Sequence, residues 1–438
     1  MKKIVVLGSS PAGIRAVEKI KEYGIECQTL VFTLDGSRPC LAHKLADWIA
    51  RPADKGAALY KPDDFYASAN IQFTDAKISR MNLRKNTVTT EDKEKIEYDL
   101  MFVTDTGVDR FPDIKGTNKT GVFSAKRPAA INQLINQVTL SETAVVYSNH
   151  LTGLKLALAL RQRNLEVIWV VPQVPVLESW LDARAFTNIQ SLCEAAGVRM
   201  ILNEQIAEIL GDTDTKAVRL GNKKVFATQI VAYCDLQPEL KMFKDSELKY
   251  ANKIDTGEHF QTSIPNIYAF DSVCHPALAQ QQRDYGSYAQ FLNTQAETAA
   301  AHICGKEALF SVSSADAQFK INASDVSLLG DTGAISGLRC FHKGDDQAFA
   351  KVFVRDNVLA GAVLVNHETA RPGFVSQISR EAGQNPLPEG FLDGFTEVTE
   401  AADPQETQEP EAGEDTAPET PSADEEQTCQ PDNANLNS

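Results

Sequence analysis

A strand, a small-residue turn and a helix follow one another over residues 2–25, and this stretch constrains the fold more than any other. Ile4 to Leu7 form a short continuous apolar run, which is typical of a strand buried on both faces of a parallel sheet. Apolar side chains then recur at Ile14, Val17 and Ile20 beside charged residues, which predicts an amphipathic helix. The turn between strand and helix consists of Gly8, Ser9, Ser10, Pro11, Ala12 and Gly13.

This turn has the properties of a phosphate site. Free backbone N–H groups at a helix N-terminus, together with the helix dipole, attract a negatively charged group. The pattern is G-x-S-x-x-G, so Ser10 stands where the dinucleotide-binding fingerprint has its middle glycine. The serine hydroxyl is itself able to face a diphosphate. A dinucleotide site at Gly8–Gly13 is therefore predicted, and the alternative is a strand-to-helix turn of the kind found in any α/β fold.

The net charge of −16 derives mainly from one segment. Residues 397–438 contain thirteen Asp and Glu and no Lys or Arg, so the rest of the chain carries only −3. This balance does not favour nucleic-acid binding. Because the segment is rich in Glu, Pro, Thr and Ala, it cannot bury enough apolar surface to fold. We predict that residues 396–438 are a disordered acidic tail.

The cysteines and the apolar runs indicate the compartment. The eight cysteines are scattered, with neither a C-x-x-C pair nor a metal-ligand spacing, which predicts free thiols, a reducing compartment and no metal site. No apolar run approaches the roughly 18 residues that a membrane helix needs. Residues 1–8 are too short and too strand-like for a signal peptide. We therefore expect a cytoplasmic protein without membrane insertion.

Further motifs resemble the FAD-binding half of the pyridine-nucleotide oxidoreductases. An RP-x-L motif begins at Arg38, a K-P-x-D-F-Y segment spans residues 61–66, and YD at 98–99 precedes a Thr106–Gly107 turn. In that family the corresponding TG turn ends the first FAD segment. The branch with the greatest resemblance holds ferredoxin and rubredoxin reductases and the flavin portion of NADH-dependent nitrite reductases.

The resemblance implies an α/β fold with two Rossmann-like dinucleotide-binding domains and a small C-terminal α+β interface domain. The FAD domain is split in sequence. In relatives the interface domain covers the flavin or forms the dimer contact, so a homodimer through it is implied. The predicted domains are 1–114 with 242–306 for FAD, 115–241 for an NAD(P)-binding-like unit, 307–395 for the interface, and 396–438 for the tail.

The resemblance also assigns residues to the FAD site. The family's RP-x-L arginine lies against the FAD phosphates or ring, and for Arg38 the alternative is a surface arginine before a helix. Lys44 is a second candidate, and His43 competes with it for the matching position. The apolar run Cys27–Phe32 predicts a second buried strand, and Asp35 is the nearest acid after it for the ribose hydroxyls. The full predicted set is Gly8, Ser9, Ser10, Pro11, Ala12, Gly13, Arg38, Pro39, Lys44, Thr106, Gly107, Asp271 and Ser272.

The last two members of this set come from the segment TSIPNIYAFDS at residues 262–272. It resembles the family motif T-S-x-P-x-I-Y-A-x-G-D, in which the final acid binds the ribityl chain of the flavin. Here Ser272 occupies the position of that acid, and Asp271 lies one residue earlier. The resemblance implies that Asp271, or the backbone beyond it, contacts the flavin.

Residues 144–171 have the shape of a second dinucleotide unit, but its ligand motif is altered. The family has G-G-G-x-x-G at Ser148–Gly153 and an acid at Val171, and only the last glycine survives here. His150 stands where the backbone must approach a diphosphate. Lys155 replaces a glutamate that lies beside the nicotinamide in the family. We predict that standard NAD(P)H binding is lost or altered.

Cys40 is a further candidate because some relatives, such as coenzyme A-disulfide reductases and NADH peroxidases, have a redox cysteine at the start of this helix. A helix N-terminus lowers the pKa of a thiol. However, alignment through Leu41 places Pro39 at the redox position. The alternative for Cys40 is a buried, inert thiol.

Two functions remain at this point. The first is an FAD-dependent oxidoreductase that receives or delivers electrons through a protein partner or a small molecule. The second is a non-catalytic relative that serves as an assembly or regulatory subunit, which the substitutions at Ser10, Ser272 and in the second unit favour.

Overall fold

The computed structural model describes residues 1–174, 183–244, 246–276, 288–308, 316–330, 332, 338–345, 347–378 and 386–398. The acidic segment from residue 399 onward, for which the sequence predicts disorder, lies outside the described residues.

The described strands are β1 (Lys2–Leu7), β2 (Cys27–Phe32), β3 (Ile71–Thr74), β4 (Ile78–Asn82), β5 (Thr87–Thr90), β6 (Lys95–Glu97), β7 (Leu100–Val103), β8 (Asp109–Arg110), β9 (Val122–Ser124), β10 (Thr143–Tyr147), β11 (Glu166–Val171), β12 (Val198–Leu202), β13 (Ile206–Leu210), β14 (Ala217–Leu220), β15 (Val225–Ala227), β16 (Ile230–Tyr233), β17 (Gln237–Pro238), β18 (Ile254–Thr256), β19 (Ile267–Ala269), β20 (Cys274–Pro276), β21 (Asp316–Ile321), β22 (Ser324–Gly330), β23 (Arg339–Gly344), β24 (Phe349–Arg355), β25 (Val358–Val365) and β26 (Thr396–Val398). The described α-helices are α1 (Pro11–Glu22), α2 (Leu45–Ala50), α3 (Lys55–Ala58), α4 (Asp63–Ser68), α5 (Pro128–Val138), α6 (Leu151–Gln162), α7 (Ala183–Ala195), α8 (Tyr288–Ile303) and α9 (Arg371–Ile378).

The first sheet is parallel and has the strand order β19-β7-β1-β2-β3. In its register Leu7 lies opposite Phe32 on one side and Val103 on the other. All four residues of β7 are buried, as are the last four of β1, which explains their unbroken apolar runs. Because β19 at residues 267–269 pairs with β7, segments far apart in sequence share this sheet. Their carboxyl ends meet at one edge.

Helix α1 forms where the sequence predicts it. Ser10 is its N-cap, and Pro11 occupies the first helical position, where a missing N–H costs nothing. Ile14, Val17 and Ile20 are buried along one stripe against the first sheet. Full burial of a side chain of this size contributes about 1.5–3 kcal/mol. Because α1 begins only a few residues after the end of β1, its N-terminus lies at the carboxyl edge of the sheet.

The second sheet repeats this design with the order β12-β11-β10-β16-β9, again parallel. Tyr147 at the end of β10 lies opposite Val170 and Tyr233. Helix α6 begins after the turn that follows β10, and its apolar residues join the core that also contains Trp169. Small antiparallel sheets β4-β5-β6 and β13-β14-β15 accompany the two parallel sheets.

The C-terminal sheet is antiparallel and has the order β21-β22-β25-β24-β23-β26. Its edge strand, Thr396–Val398, falls in the segment that the sequence assigns to the tail. There Val398 pairs with Cys340, and Glu397 accepts two hydrogen bonds from Arg339, both at 2.8 Å. These contacts order three residues whose composition alone predicts disorder.

Residues Met1–Val398 form one compact unit. A search of the described residues finds no helix with the length and apolar content that crossing a membrane requires.

Candidate functional site

The turn after β1 is held against the end of β7. Gly8 has φ of +95°, and a Cβ there would lie 2.3 Å from Asp105 Cβ. A Cβ on Gly13 would lie 2.8 Å from Thr104 Cγ2 and 2.9 Å from Val6 Cγ1, which is closer than a Cβ can approach without displacing its neighbours. The two glycines thus serve the tight turn and the close helix–strand packing that a dinucleotide fingerprint requires.

Ser10 connects this turn to the segment that follows β19. Its Oγ donates a hydrogen bond to Asp271 Oδ2 at 2.6 Å and accepts one from the Ala12 N–H at 3.4 Å. Asp271 has φ of +59°, a left-handed conformation that suits the glycine of the family motif, and aspartate tolerates it better than most residues. The Asp271 N–H donates to Gln295 Oε1 at 3.0 Å. The hydroxyl at the middle glycine position therefore already has a carboxylate partner.

Asp35 lies in the loop after β2, beside the same edge. Its Oδ1 accepts a hydrogen bond from the Ser37 N–H at 2.9 Å. Its Oδ2 is buried, and no described residue donates to it. Burial raises the pKa of the Asp35 carboxyl, because the charged form loses its hydration. An unused buried acceptor at this place is the group that a ribose hydroxyl would satisfy.

A buried ion network holds the turn after β7. Arg127 donates to both carboxylate oxygens of Asp105 at 2.9 Å, and to those of Asp109 at 2.8 and 3.1 Å. Asp105 Oδ1 also accepts from the N–H groups of Thr106 at 2.6 Å and Gly107 at 3.1 Å. Burial lowers the pKa of Arg127, but the two carboxylates more than offset this and the pKa is raised. The network joins the TG turn to the start of α5.

The turn after β10 is closed by its own side chains. The Asp235 carboxylate accepts a hydrogen bond from the Asn149 N–H at 2.5 Å and another from Ser148 Oγ at 3.1 Å. Ser148 Oγ also accepts from the His150 N–H at 2.9 Å. Asp235 follows β16, which pairs with β10. The residue after one strand thus supplies a carboxylate to the turn after the neighbouring strand. The Asp235 carboxylate thus occupies the Asn149 N–H, a group that binds the phosphate in a dinucleotide-binding turn.

A cleft of about 400 Å³ lies between the carboxyl edges of the two parallel sheets. The turn after β1 lines it through Ser9, Ser10 and Pro11, and the segment after β19 lines it through Asp271 and Ser272. Its remaining walls include Cys40, His43, Leu45, Ile49, Lys155 and Leu156.

The predicted residues divide into two groups. Ser9, Ser10, Pro11, Cys40, Asp271 and Ser272 line the cleft. The other predicted residues are not part of its lining: Gly8, Ala12, Gly13, Arg38, Pro39, Lys44, Thr106 and Gly107. The Arg38 guanidinium lies 4.1 Å from the centre of the Phe73 ring, and Arg38 Nε lies 3.3 Å from Asp63 Oδ1.

At the RP-x-L helix the structure places His43, not Lys44, on the cleft. Lys44 Nζ donates to Asp47 at 3.2 Å. Burial lowers the pKa of His43, and the neighbouring charges of Lys44 and Lys155 lower it further. A one-residue difference on a 3₁₀ turn at Ala42–Lys44 decides which side chain enters the cleft.

Cys40 lines the cleft as a buried thiol. Burial raises its pKa to about 11, with a smaller contribution from the charge of Asp35. The residue pairs with Leu59 in an isolated β-bridge and does not begin a helix. These surroundings favour the thiol over the nucleophilic thiolate.

Asp105, Arg127 and Asp235 were not among the residues predicted from the sequence. Asp105 directly precedes the TG turn, and Arg127 directly precedes a helix that starts with proline, so both had a local signal. Asp235 had none, since its role depends on the neighbouring strand.

A family profile described as pyridine nucleotide-disulphide oxidoreductase matches residues 2–290, more than half of the chain. The chain belongs to this family. Nitrite reductase [NAD(P)H] of Bacillus subtilis is 25% identical over 390 residues, which are 87% of this chain and 48% of that protein. NADH oxidase of Methanocaldococcus jannaschii is 23% identical over 395 residues, 84% of this chain and 88% of that protein. This chain therefore spans about half the length of the nitrite reductase.

Solved structures share the fold. Putidaredoxin reductase, in its covalent complex with putidaredoxin, has a TM-score of 0.72 and 18% identity, over 86% of this chain and 94% of that one. A water-forming NADH oxidase from Lactobacillus brevis has a TM-score of 0.71 and 16% identity, over 86% and 92%.

These comparisons confirm the predicted family, its ferredoxin reductase branch and the α/β fold class. They support an oxidoreductase with FAD as its cofactor.

Proposed function

We propose that this chain is an FAD-dependent oxidoreductase that passes electrons through the flavin and has lost the standard NAD(P)H contacts of its second unit. The contrast between two equivalent turns carries the proposal. Beside the turn after β1, Asp35 Oδ2 has no donor among the described residues. In the turn after β10, the Asn149 N–H is already bonded to Asp235.

The first site fits FAD. The Gly8–Gly13 turn would receive the diphosphate at the start of α1, where backbone N–H groups and the helix dipole favour an anion. Asp35 would accept a hydrogen bond from a ribose hydroxyl. Asp271 and Ser272 would lie along the ribityl chain, as the family motif implies. When bound, FAD supplies reversible acceptance of electrons, and the protein positions it and excludes competing reactions.

The second site opposes a dinucleotide for three reasons. Asp235 places a negative charge at the turn, and two anions a few ångströms apart repel each other strongly in a partly buried site. Val171, which stands at the position of the family's acid, is fully buried and has no side-chain acceptor. His150 lines the cleft with an imidazole where the fingerprint has glycine. Together these differences should cost several kcal/mol, and each 1.4 is about tenfold in affinity.

The electron partner follows from this loss. Related proteins include an NADH-rubredoxin oxidoreductase of Clostridium acetobutylicum, 20% identical over 366 residues. We propose a protein electron carrier or a small molecule as the partner of this chain. Dimerisation through the C-terminal sheet stays a prediction, as do the domain boundaries.

One observation favours the alternative, a non-catalytic subunit. Ser10 Oγ is bonded to Asp271 at 2.6 Å, so a diphosphate would have to compete with that contact for the hydroxyl. If the contact dominates, the first site would exclude FAD as the second excludes NAD(P)H.

A titration of FAD-free protein with FAD separates the two functions. We expect one FAD per chain, with quenching of flavin fluorescence. Asp35→Ala should weaken binding by about tenfold, since a hydrogen bond to a charged group contributes roughly 1.5–3 kcal/mol. Asp63→Ala is the matched control, because that carboxylate is largely exposed and lies outside the cleft lining. If wild-type protein takes up no FAD, the non-catalytic function replaces the enzyme.

A further inference from the structure

Two basic side chains, those of His43 and Lys155, line one wall of the cleft. His43 lies on the 3₁₀ turn before α2, and Lys155 lies on the second turn of α6. One residue therefore comes from the segment after β2 in the first sheet, and the other from the helix after β10 in the second sheet. The charge of Lys155 lowers the pKa of His43, so the two side chains lie close enough to interact through space.

Lys155 has no ion pair within the described part of the chain. Its Nζ lies 5.9 Å from the centre of the Phe319 ring, a cation–π contact at the limit of the useful range. Asp47 acts on it only at longer range, and is itself bonded to Lys44 at 3.2 Å. A fully buried lysine is almost always paired, and Lys155 is half-buried. This one faces the cleft with its hydrogen-bonding capacity unused by any described residue.

The surroundings of this pair are largely apolar. Leu45, Ile49 and Leu156 are buried or nearly buried side chains of the same wall. Burial lowers the pKa of Lys155 and of His43, because each charged form loses hydration. A bound anion would oppose both shifts, because a neighbouring negative charge favours each charged form. Charge interactions are also stronger in such a partly desolvated site than in water.

Lys253, just before β18, also lines the cleft and has no ion pair with a described residue, whereas two other basic residues of the cleft are bonded within the chain. Lys126 Nζ donates to the Leu236 carbonyl at 3.1 Å, and Arg127 is bonded to Asp105 and Asp109. On the wall formed by the 3₁₀ turn and α6, the donors that no described residue uses are therefore those of His43 and Lys155.

We propose that His43 and Lys155 bind a small anion, a carboxylate or an oxyanion of a few atoms, beside the flavin. The inference rests on the proposed function, because it places the anion in the space that a nicotinamide cofactor would otherwise reach. The anion must be small, since the cleft of about 400 Å³ also has to receive the flavin ring. A dinucleotide is disfavoured because Asp235 holds the turn that would bind its diphosphate.

Calorimetric titration tests this on the full chain, both FAD-free and FAD-loaded, at constant ionic strength balanced with gluconate. The probes are acetate, nitrate and inorganic phosphate. We expect at least one probe to bind with a stoichiometry of one and to shift the visible spectrum of the loaded protein. Lys155→Met should weaken that binding by about tenfold or more, as expected for a lost charge-assisted hydrogen bond. Lys155→Arg should retain it within about threefold, because the positive charge and donors remain.

Lys55→Met is the matched control, because Lys55 lies on the neighbouring helix α3 and outside the cleft lining. It removes the same charge and should change the affinity less than twofold. The inference is overturned if no probe binds at concentrations up to about 10 mM, or if Lys55→Met and Lys155→Met weaken binding equally. Failure of FAD to bind contradicts the proposed function instead, and the FAD-free titration then still decides the anion site.

Discussion

The Arg127 network provides the sharpest test of how the site is held together. In Arg127→Met, four hydrogen bonds of 2.8–3.1 Å disappear, and two carboxylates remain side by side. The exposed fractions of the Asp109 and Asp105 side chains are 7% and 24%. Water can therefore replace the lost hydrogen bonds of the Asp109 carboxylate only poorly. Removing one partner of a buried ion pair costs about 3–5 kcal/mol. We expect the free energy of unfolding to fall by about that amount.

The assay is urea unfolding of FAD-free protein, followed by circular dichroism and by tryptophan fluorescence. Omitting FAD separates stability from cofactor binding. Arg339→Met is the matched control, because Arg339 makes the same two-bond contact to Glu397 on an exposed edge strand. Such an exposed pair should contribute little to the free energy of unfolding. The urea midpoint of Arg339→Met should therefore stay close to that of the wild type. Arg127→Met combined with Asp105→Asn should recover part of the loss, since one uncompensated charge is removed. Equal midpoints for Arg127→Met and Arg339→Met would refute the reasoning.

Two further predictions concern the cleft and the first turn. Because burial raises the pKa of Cys40 to about 11, only about one thiol in a thousand is ionised at pH 8, and the fraction rises as the pH approaches 11. Iodoacetamide at pH 8 should therefore label the half-buried Cys304 before Cys40 in FAD-free protein, as peptide mass spectrometry would show; equal rates would restore Cys40 as a redox candidate. Gly13→Ala places a Cβ 2.8 Å from Thr104 Cγ2 and should cost about 1–3 kcal/mol through overpacking, whereas Gly56→Ala, in open space on α3, should be neutral or stabilising in thermal unfolding. A Gly13→Ala protein as stable as Gly56→Ala would contradict the packing argument.

The sequence predicts the architecture well because buried parallel strands and amphipathic helices have local patterns. The run at Ile4–Leu7 and the stripe on α1 are examples, and both form as predicted. The site is less accessible because its contacts are not local. Ser10 and Asp271 are each identifiable from a motif, but their hydrogen bond joins positions 261 residues apart. Asp235 acts through a neighbouring strand, and no spacing signals it.

Register is the second reason for the difference. The sequence favours Lys44 for the cleft and leaves His43 as its competitor. On the short 3₁₀ turn at Ala42–Lys44, one residue changes the direction of the side chain, and His43 lines the cleft. Composition likewise assigns Thr396–Val398 to the tail, whereas pairing with β23 makes it a strand.

Anaerobic reduction of the FAD-loaded protein tests the central claim, the loss of standard NAD(P)H contacts, most directly. The flavin absorbance is followed after mixing with NADH or NADPH and, separately, with dithionite. The Asp235 carboxylate bonded to the Asn149 N–H predicts that either nucleotide, even at millimolar concentration, reduces the flavin slowly or not at all, while dithionite reduces it readily. Rapid bleaching by micromolar NADH would contradict the account.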